Sequence, residues 1–294
     1  MMAEEHVDEE PLVFGGDEAG LGDRETATFV VHPFPLEATV SYGEGTGYGP
    51  DAILEASYEL EFFCEEDWMP YWEPGAVYTD ETPELPEDPA TALRVIEECV
   101  RQTVDRGQFP LSLGGEHSIT YSCVRAVREV FPDCGVLFID AHLDLRAEYE
   151  GTPYSHASVA RRIVDELGAP MAWCGIRSVS AEEAQIVDER DYAVIFAHEI
   201  PDDPDWITRV IDALPETIYL SIDIDGLDPA YAPGTGTPEP GGLSYRQLLQ
   251  LLRRLTQERK IAGADIVEVA PIEGQQVTEF TAAKIAAKLF SLLR

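Results

Sequence analysis

Short apolar runs alternate along the chain with segments whose apolar residues recur every three or four positions, from about residue 28 onward. Such recurrence is typical of amphipathic helices, and short uninterrupted apolar runs are typical of strands buried on both faces. The alternation predicts an α/β fold with three layers, α-β-α, around a mostly parallel central sheet. The predicted strands are T-F-V-V, L-S-L, V-L-F-I, M-A-W-C, Y-A-V-I-F-A, I-Y-L-S-I and I-V-E-V.

Helices are predicted over residues 90–105, 118–130, 155–166 and 245–258, where the apolar spacing is helical. Asp88-Pro89 and Ser244 are typical helix starts, and Gly107 and Gly168 are typical helix stops.

Two other segments have no such pattern. Residues 65–88 are rich in Pro, Trp, Tyr and acid, which predicts a long irregular excursion. Residues 1–27 are acidic and aperiodic, which predicts a mobile N-terminal tail. Residues 28–294 are then expected to form a single domain.

The charge of the chain is strongly unbalanced. There are 56 Asp and Glu residues against 20 Lys and Arg residues, for a net charge of −36. Such a surface repels nucleic acid and anionic membranes, which excludes both as partners. Net charges of small domains usually lie near ~2 to 8 in magnitude, so adaptation to high salt is favoured over an acidic protein of an ordinary cytoplasm.

The five cysteines and the N-terminus indicate the compartment. The cysteine count is odd and no C-x-x-C pair occurs, which argues against disulfides and a cysteine metal site. The N-terminus is acidic where a signal peptide would be basic, and no apolar run approaches the ~18 residues of a membrane span. A cytoplasmic protein is therefore expected.

Ionisable residues follow several predicted strands, at the edge where parallel sheets bind ligands. V-L-F-I runs into Asp140, His142 and Asp144, whose spacing of two puts them on one side. The other groups are His117 after L-S-L, Asp223 and Asp225 after I-Y-L-S-I, and Glu268 in I-V-E-V.

Divalent metal ions explain this gathering of carboxylates. Burying like charges without a counter-ion costs several kcal/mol each, and two divalent cations match four aspartates in charge. Oxygen ligands with a minority of imidazole suit Mn²⁺ better than a thiolate-type zinc site. Two metals would ionise a bridging water at neutral pH. The glycine-rich residues 43–49 spell no dinucleotide fingerprint, so no organic cofactor is expected.

The three metal motifs together resemble the signatures of the ureohydrolases, the arginase and agmatinase family of dimanganese hydrolases. They are G-G-E-H-S at 114–118, D-A-H-L-D at 140–144 and S-I-D-I-D-G-L-D-P at 221–229. The resemblance runs from about Thr28 to the C-terminus and includes residues 41–53, which depart from the family pattern at Gly43-Glu44. It implies the arginase/deacetylase-like fold and two Mn²⁺ per subunit. It assigns His117 and Asp144 to one ion, His142 and Asp225 to the other, and Asp140 and Asp223 as bridges.

The resemblance also implies catalytic roles. Glu268 would pair with the substrate guanidinium, and Asp144 would orient the attacking hydroxide. His156 occupies the place of a mobile acid/base histidine, although Ala157 stands where many relatives have Gly. A histidine that caps the following helix is the alternative for His156.

Residues 144–152 bear on the substrate. Arginases have a polar D-x-N-T-type stretch there that recognises the amino-acid end of arginine, and this chain lacks it. D-L-R-x-x-Y-x-G instead resembles microbial agmatinases, which implies cleavage of agmatine to putrescine and urea. Arg146 would either attract a guanidino acid or form an ion pair with Glu148, Glu150 or another acid. Guanidinobutyrase, arginase and aminopropylagmatine hydrolase remain open.

Two other classes are considered. Zinc deacetylases share the fold but use one metal, whereas the additional Asp144, Asp225 and His117 favour two. A catalytically silent relative would not need all six ligands and Glu268, which are present.

The charge also generates a prediction about assembly. The resemblance implies trimers or hexamers, and subunits of charge −36 repel one another unless salt screens them. We expect light scattering to give an oligomer at molar salt and smaller species at low salt. A mass of one subunit at molar salt would contradict this.

Overall fold

The structure is a computed structural model and describes residues 11–16 and 22–294. The strands are β1 Phe29–Phe34, β2 Phe63–Cys64, β3 Met69–Pro70, β4 Val77–Thr79, β5 Phe109–Gly114, β6 Gly135–Ile139, β7 Met171–Ile176, β8 Ala193–Phe196, β9 Thr217–Asp223 and β10 Lys260–Val267. The α-helices are α1 Gly49–Ser57, α2 Pro89–Asp105, α3 Ile119–Val130, α4 Val159–Arg162, α5 Ala181–Arg190, α6 Trp206–Asp212, α7 Tyr245–Glu258 and α8 Val277–Leu293.

Eight strands form one sheet in the order β4-β1-β5-β10-β9-β6-β7-β8. Every pairing in this sheet is parallel, and only the small β2-β3 pair is antiparallel. Parallel neighbours need crossover connections, which the helices supply. The predicted α/β class with a mostly parallel central sheet is confirmed.

Two hydrophobic clusters lie on opposite faces of the sheet. One contains apolar residues of α1, α6, α7 and α8, and the other contains those of α2, α3 and α4. Strand β6 contributes to both, because Leu137 and Ile139 enter the first cluster while Val136 and Phe138 enter the second. This alternation explains why the buried strands are continuously apolar.

The helix starts follow the predicted side-chain chemistry. The side chain of Asp88 accepts a hydrogen bond from the N–H of Thr91 at the start of α2. Ser244 and Gln247 form a reciprocal capping box at the start of α7. None of the helices in residues 11–16 and 22–294 has the length and apolar character needed to cross a bilayer.

Two predicted elements differ from the structure. The strand predicted as I-V-E-V begins earlier, at Lys260, and ends before Glu268. The register of this strand shifts between Ile261 and Gly263, so its first half shows no continuous apolar run in the sequence. Residues 65–88 are not wholly irregular, because Val77–Thr79 pair with β1 as the edge strand β4.

Part of the segment predicted as a mobile tail packs against the core in the structure. Residues 1–10 and 17–21 lie outside the described residues. Phe14, however, is only 2% exposed and packs 5.8 Å from the Trp72 ring and 5.5 Å from the Phe290 ring. Arg24 forms an ion pair with Asp80 at 2.8 Å. A single aromatic residue in an acidic segment has no periodic signal, so its burial could not be predicted.

The packing of Phe14 can be tested by truncation. Phe14→Ala should lower the free energy of unfolding by about 3 to 5 kcal/mol, as expected for a buried Phe. Chemical denaturation at constant salt measures this. Val130→Ala, at a side chain 43% exposed on α3, is the control and should change stability by less than about 0.5 kcal/mol. Equal stability of the two variants would show that residue 14 is not packed.

Candidate metal centre

The ends of four neighbouring strands form the site. Strands β5, β10, β9 and β6 are consecutive in the sheet, so their carboxyl ends meet at one edge. After β5 the chain turns at Gly115, where an added Cβ would lie 2.2 Å from the carbonyl oxygen of Leu36. Only glycine fits this turn, which brings His117 beside the ends of β6 and β9.

The imidazole of His117 faces three carboxylates. Its Nδ1 lies 3.3 Å from Oδ2 of Asp140, 3.2 Å from Oδ2 of Asp144 and 3.2 Å from Oδ2 of Asp223. All four side chains are buried. Asp144 has a left-handed backbone (φ 52°), which turns its carboxylate toward His117.

The carboxylate of Asp140 faces a second imidazole as well. Its Oδ1 lies 3.6 Å from Nδ1 of His142, which is also 3.1 Å from Oδ2 of Asp225. His117, Asp140 and Asp223 therefore form one group of donor atoms, and Asp140, His142 and Asp225 form another, each within 4.8 Å. Asp140 is common to both, so the structure brings together all six predicted ligands around two adjacent positions.

The electrostatics of this cluster indicate a shortage of positive charge. Burial and the charge of Asp140 raise the pKa of Asp144 to about 6. Burial, followed by the charges of Asp225 and Asp140, raises the pKa of Asp223 well above its usual range. Burial alone would lower the pKa of His142, but Asp140 and Asp225 raise it to about 12.

The hydrogen bonds of His117 test whether a cation fits. Its Nε2 lies 2.8 Å from the Ser221 hydroxyl, which donates to Asp265 at 2.7 Å, so Nε2 carries the donating hydrogen. In the neutral imidazole this leaves the Nδ1 lone pair facing the carboxylates. Among the described residues, neither His117 Nδ1 nor Asp140 Oδ2 has a hydrogen-bond partner. Two buried acceptors that face each other need a cation between them, so the cluster fits divalent metal ions.

Asp265 and Thr120, two polar residues behind His117, were not identified from the sequence. Asp265 lies within β10, is fully buried, and accepts hydrogen bonds from Ser221 and from Thr120 at 2.8 Å. These bonds fix the orientation of the His117 ring, as outer partners of metal-binding histidines do. The sequence does contain a signal for Asp265, because it is an acidic residue inside an otherwise apolar strand. A buried carboxylate requires hydrogen-bond partners, so such a residue indicates a polar network.

Glu268 lies immediately after β10, at the wall of the same pocket. Its backbone is left-handed (φ 64°), an uncommon conformation for a residue with a long side chain. Its Oε1 accepts the backbone N–H of His117 at 2.6 Å. Burial raises the pKa of Glu268 to about 8, although the neighbouring His117 lowers it.

His156 is held in the pocket by a hydroxyl and a buried carboxylate. The Thr39 hydroxyl donates to Glu116 at 2.9 Å and accepts the backbone N–H of His156 at 3.1 Å. Because Thr39 has given its hydrogen to Glu116, Nδ1 of His156, at 3.3 Å, must donate to Thr39. Nε2 is then an acceptor, and it lies 3.4 Å from the Ser41 hydroxyl. Ser155, rather than His156, caps the following turn.

A cavity of about 360 Å³ opens above the cluster. Arg146 lines it, with its guanidinium 5.1 Å from the centre of the Tyr149 ring. In the part of the chain that the structure describes, Arg146 forms no ion pair with a carboxylate. Of the two alternatives for Arg146, the described residues therefore show no ion pair with Glu148, Glu150 or another acid, and Arg146 lines the pocket.

Known proteins with similar sequences belong to one family. The arginase family model matches residues 27–291. The chain is 41% identical over 270 residues to the N(1)-aminopropylagmatine ureohydrolase of Synechocystis sp., covering 90% of this chain and 88% of the relative. It is 33% identical over 273 residues to the agmatinase of Bacillus subtilis, covering 90% and 91%.

A solved structure with the same fold is also similar in sequence. The agmatine ureohydrolase of Thermoplasma volcanium superposes with a TM-score of 0.86 at 33% identity, over 97% of this chain and 95% of the other. The site geometry, the matched family model and this shared fold agree. The chain is therefore a ureohydrolase of the arginase family.

Proposed function

We propose that this chain is a dimanganese hydrolase that cleaves the guanidino group of a linear amine, agmatine or N(1)-aminopropylagmatine, to give urea and a polyamine. The observation that carries the proposal is the pair of donor groups that share Asp140. Six ligand side chains around two positions match the charge of two divalent ions. Four of the six are carboxylates, and hard oxygen donors of this kind favour Mn²⁺.

His117, Asp144, Asp140 and Asp223 would hold one ion, and His142, Asp225, Asp140 and Asp223 would hold the other. When bound, such ions lower the pKa of water and so supply hydroxide at neutral pH. The protein contributes the fixed orientation of its ligands. The Asp265–Ser221–His117 hydrogen bonds hold one imidazole in the tautomer that leaves Nδ1 free.

Glu268 would bind the guanidinium of the substrate. Burial raises the pKa of its carboxyl group to about 8, so an arriving cation stabilises the ionised form. The hydrogen bond from the His117 backbone fixes Oε1 and ties the carboxylate to the metal cluster. This arrangement would hold the guanidinium carbon at a constant position relative to the ligands, which lowers the entropic cost of attack.

His156 would transfer a proton through its Nε2 atom. Burial lowers the pKa of His156, so the imidazole is neutral near pH 7 and can accept a proton. The hydrogen-bonded sequence Glu116–Thr39–His156 fixes the tautomer that makes Nε2 the acceptor. The same atom could then deliver the proton to the leaving amine.

The choice between the two substrates rests on similarity. The N(1)-aminopropylagmatine ureohydrolases of Synechocystis, Thermus and Thermococcus are 37 to 41% identical to this chain, whereas agmatinases of Bacillus and Pyrococcus are 33 to 35% identical. N(1)-aminopropylagmatine contains the agmatine skeleton, so one guanidinium site serves both. This favours N(1)-aminopropylagmatine as the better substrate, with agmatine as the second candidate.

A urea-release panel tests the proposed function. The purified chain, supplied with Mn²⁺ at low and high salt, is assayed with N(1)-aminopropylagmatine, agmatine, arginine and guanidinobutyrate. We expect the highest kcat/KM for N(1)-aminopropylagmatine, a lower value for agmatine, and values at least about tenfold lower for the two acids, a difference of ~1.4 kcal/mol. Absence of urea from every compound would refute the proposal.

Metal content provides a second test. After dialysis against Mn²⁺ and buffer, elemental analysis should find two manganese ions per chain. Asp225→Asn removes a proposed ligand and should weaken binding of the ion near His142 by more than about 100-fold. This exceeds the effect of losing a residue that only hydrogen-bonds to a ligand. The variant should therefore hold about one ion.

His156→Ala is the matched control for the metal test, because His156 is proposed to move protons and not to bind metal. It should retain two ions while kcat falls by about 100-fold or more, the range of general acid–base catalysis. One zinc ion per wild-type chain would contradict the dimanganese proposal, and loss of metal from His156→Ala would contradict its assigned role.

A further inference from the structure

Five carboxylate residues line the cavity, and four of them have partners. Asp144 and Asp223 belong to the metal cluster, and Glu268 accepts the His117 N–H. Glu183 is 5% exposed and accepts hydrogen bonds from two backbone N–H groups, those of Leu145 and Ser180. The side chain of Glu239 has no hydrogen bond or ion pair with any described residue.

The backbone of Glu239 is held by hydrogen bonds, although its carboxylate has no partner within residues 11–16 and 22–294. Arg177 donates to the Glu239 carbonyl from Nε at 3.1 Å and from Nη2 at 2.6 Å. The same guanidinium donates to the carbonyl oxygens of Asp225 at 2.6 Å and Leu227 at 3.2 Å. Arg177 thus joins the loop that carries Glu239 to the strand end that carries a metal ligand.

The sequence of this loop permits the close approach. An added Cβ on Gly242 would lie 2.6 Å from the carbonyl carbon of Leu227 and 2.7 Å from Nη2 of Arg177, so only glycine fits. Pro238 and Pro240 flank Glu239 and restrict its backbone. A free carboxylate on a rigid support is a preorganised cation site.

The same loop passes close to Glu268 and to Asp225. An added Cβ on Gly236 would lie 3.8 Å from Oε2 of Glu268, and the Thr237 hydroxyl donates to Asp225 at 3.3 Å. Glu239 follows three residues after Gly236, a distance of at most ~10 Å along the chain. Gly236 and Glu239 therefore lie close together, and both line the same cavity as Glu268.

We propose that Glu239 binds an ammonium group of the substrate, at the end away from the guanidinium, and so selects amines over acids. This inference rests on the proposed function and specifies its substrate class. Arg146 supplies the opposite charge in the same pocket, where its stacking on Tyr149 leaves it without an acidic partner among the described residues. A substrate carboxylate at that end would be attracted by Arg146 and repelled by Glu239. A substrate ammonium group would be attracted by Glu239 and repelled by Arg146.

Steady-state kinetics with Glu239→Gln test the inference. The substrates are agmatine, guanidinobutyrate and butylguanidine, which share the guanidinium and differ in the charge at the other end. For agmatine we expect KM to rise about fivefold with kcat unchanged, as for loss of one partly exposed ion pair in ground-state binding. KM for butylguanidine should not change, and KM for guanidinobutyrate should fall. The effect on agmatine should shrink as salt increases.

Glu182→Gln is the control with the same change of charge. Glu182 is exposed on α5 and does not line the cavity, so its KM values should equal those of the wild type. An unchanged KM for agmatine in Glu239→Gln would overturn the inference while leaving the proposed function intact. An equal rise in KM for butylguanidine would also overturn it, because the loss would then not depend on the ammonium.

A direct binding measurement tests the ammonium site at Glu239 even if the wild type releases no urea. Calorimetric titration of the Mn²⁺-supplied chain with putrescine measures occupation of the subsite without turnover. Weaker binding to Glu239→Gln than to Glu182→Gln supports the subsite, and equal binding overturns it. Failure of urea release with intact putrescine binding would refute the proposed reaction alone.

Discussion

The mutual repulsion of buried carboxylates at one sheet edge is the constraint on which the rest of this structure depends. Asp140, Asp144, Asp223 and Asp225 lie against only two imidazoles, and burial raises the pKa of Asp144 and Asp223. Leaving such charges unpaired costs several kcal/mol each, so the arrangement is stable only with added positive charge. Divalent metal ions would provide that charge, and the two groups of donor atoms at the strand ends share Asp140.

The imidazole rings of His117 and His156 are oriented by the same kind of hydrogen-bonded contact. A hydroxyl stands between each ring and a buried carboxylate: Ser221 links His117 to Asp265, and Thr39 links His156 to Glu116. In each case the hydroxyl gives its hydrogen to the carboxylate and must therefore accept from the imidazole. One nitrogen of each ring is left as an acceptor toward the pocket. The two carboxylates, Asp265 and Glu116, thus orient the rings without lining the cavity themselves.

The predictable part of the site was local in sequence. Asp140, His142 and Asp144 follow one apolar strand at a spacing of two, and this pattern alone indicated a shared side. The unpredicted residues act over long sequence separations: Thr39 contacts His156 across 117 positions, and the Ser221–Asp265 contact joins two neighbouring strands. Such pairs have no periodic signature, because they depend on which strands become neighbours and not on the residues between them.

The sequence by itself determined the α/β class and the family and indicated the candidate metal ligands, because buried strands and D-x-H-x-D motifs are short-range patterns. The tertiary structure decided what surrounds those ligands. It turned Glu268 off the end of β10, packed Phe14 against the core, and placed Arg146 and Glu239 in one cavity as opposite charges without an ion-pair partner among the described residues. The proposed selection of amines depends on that last arrangement, since only the folded chain fixes which charged side chains line the cavity.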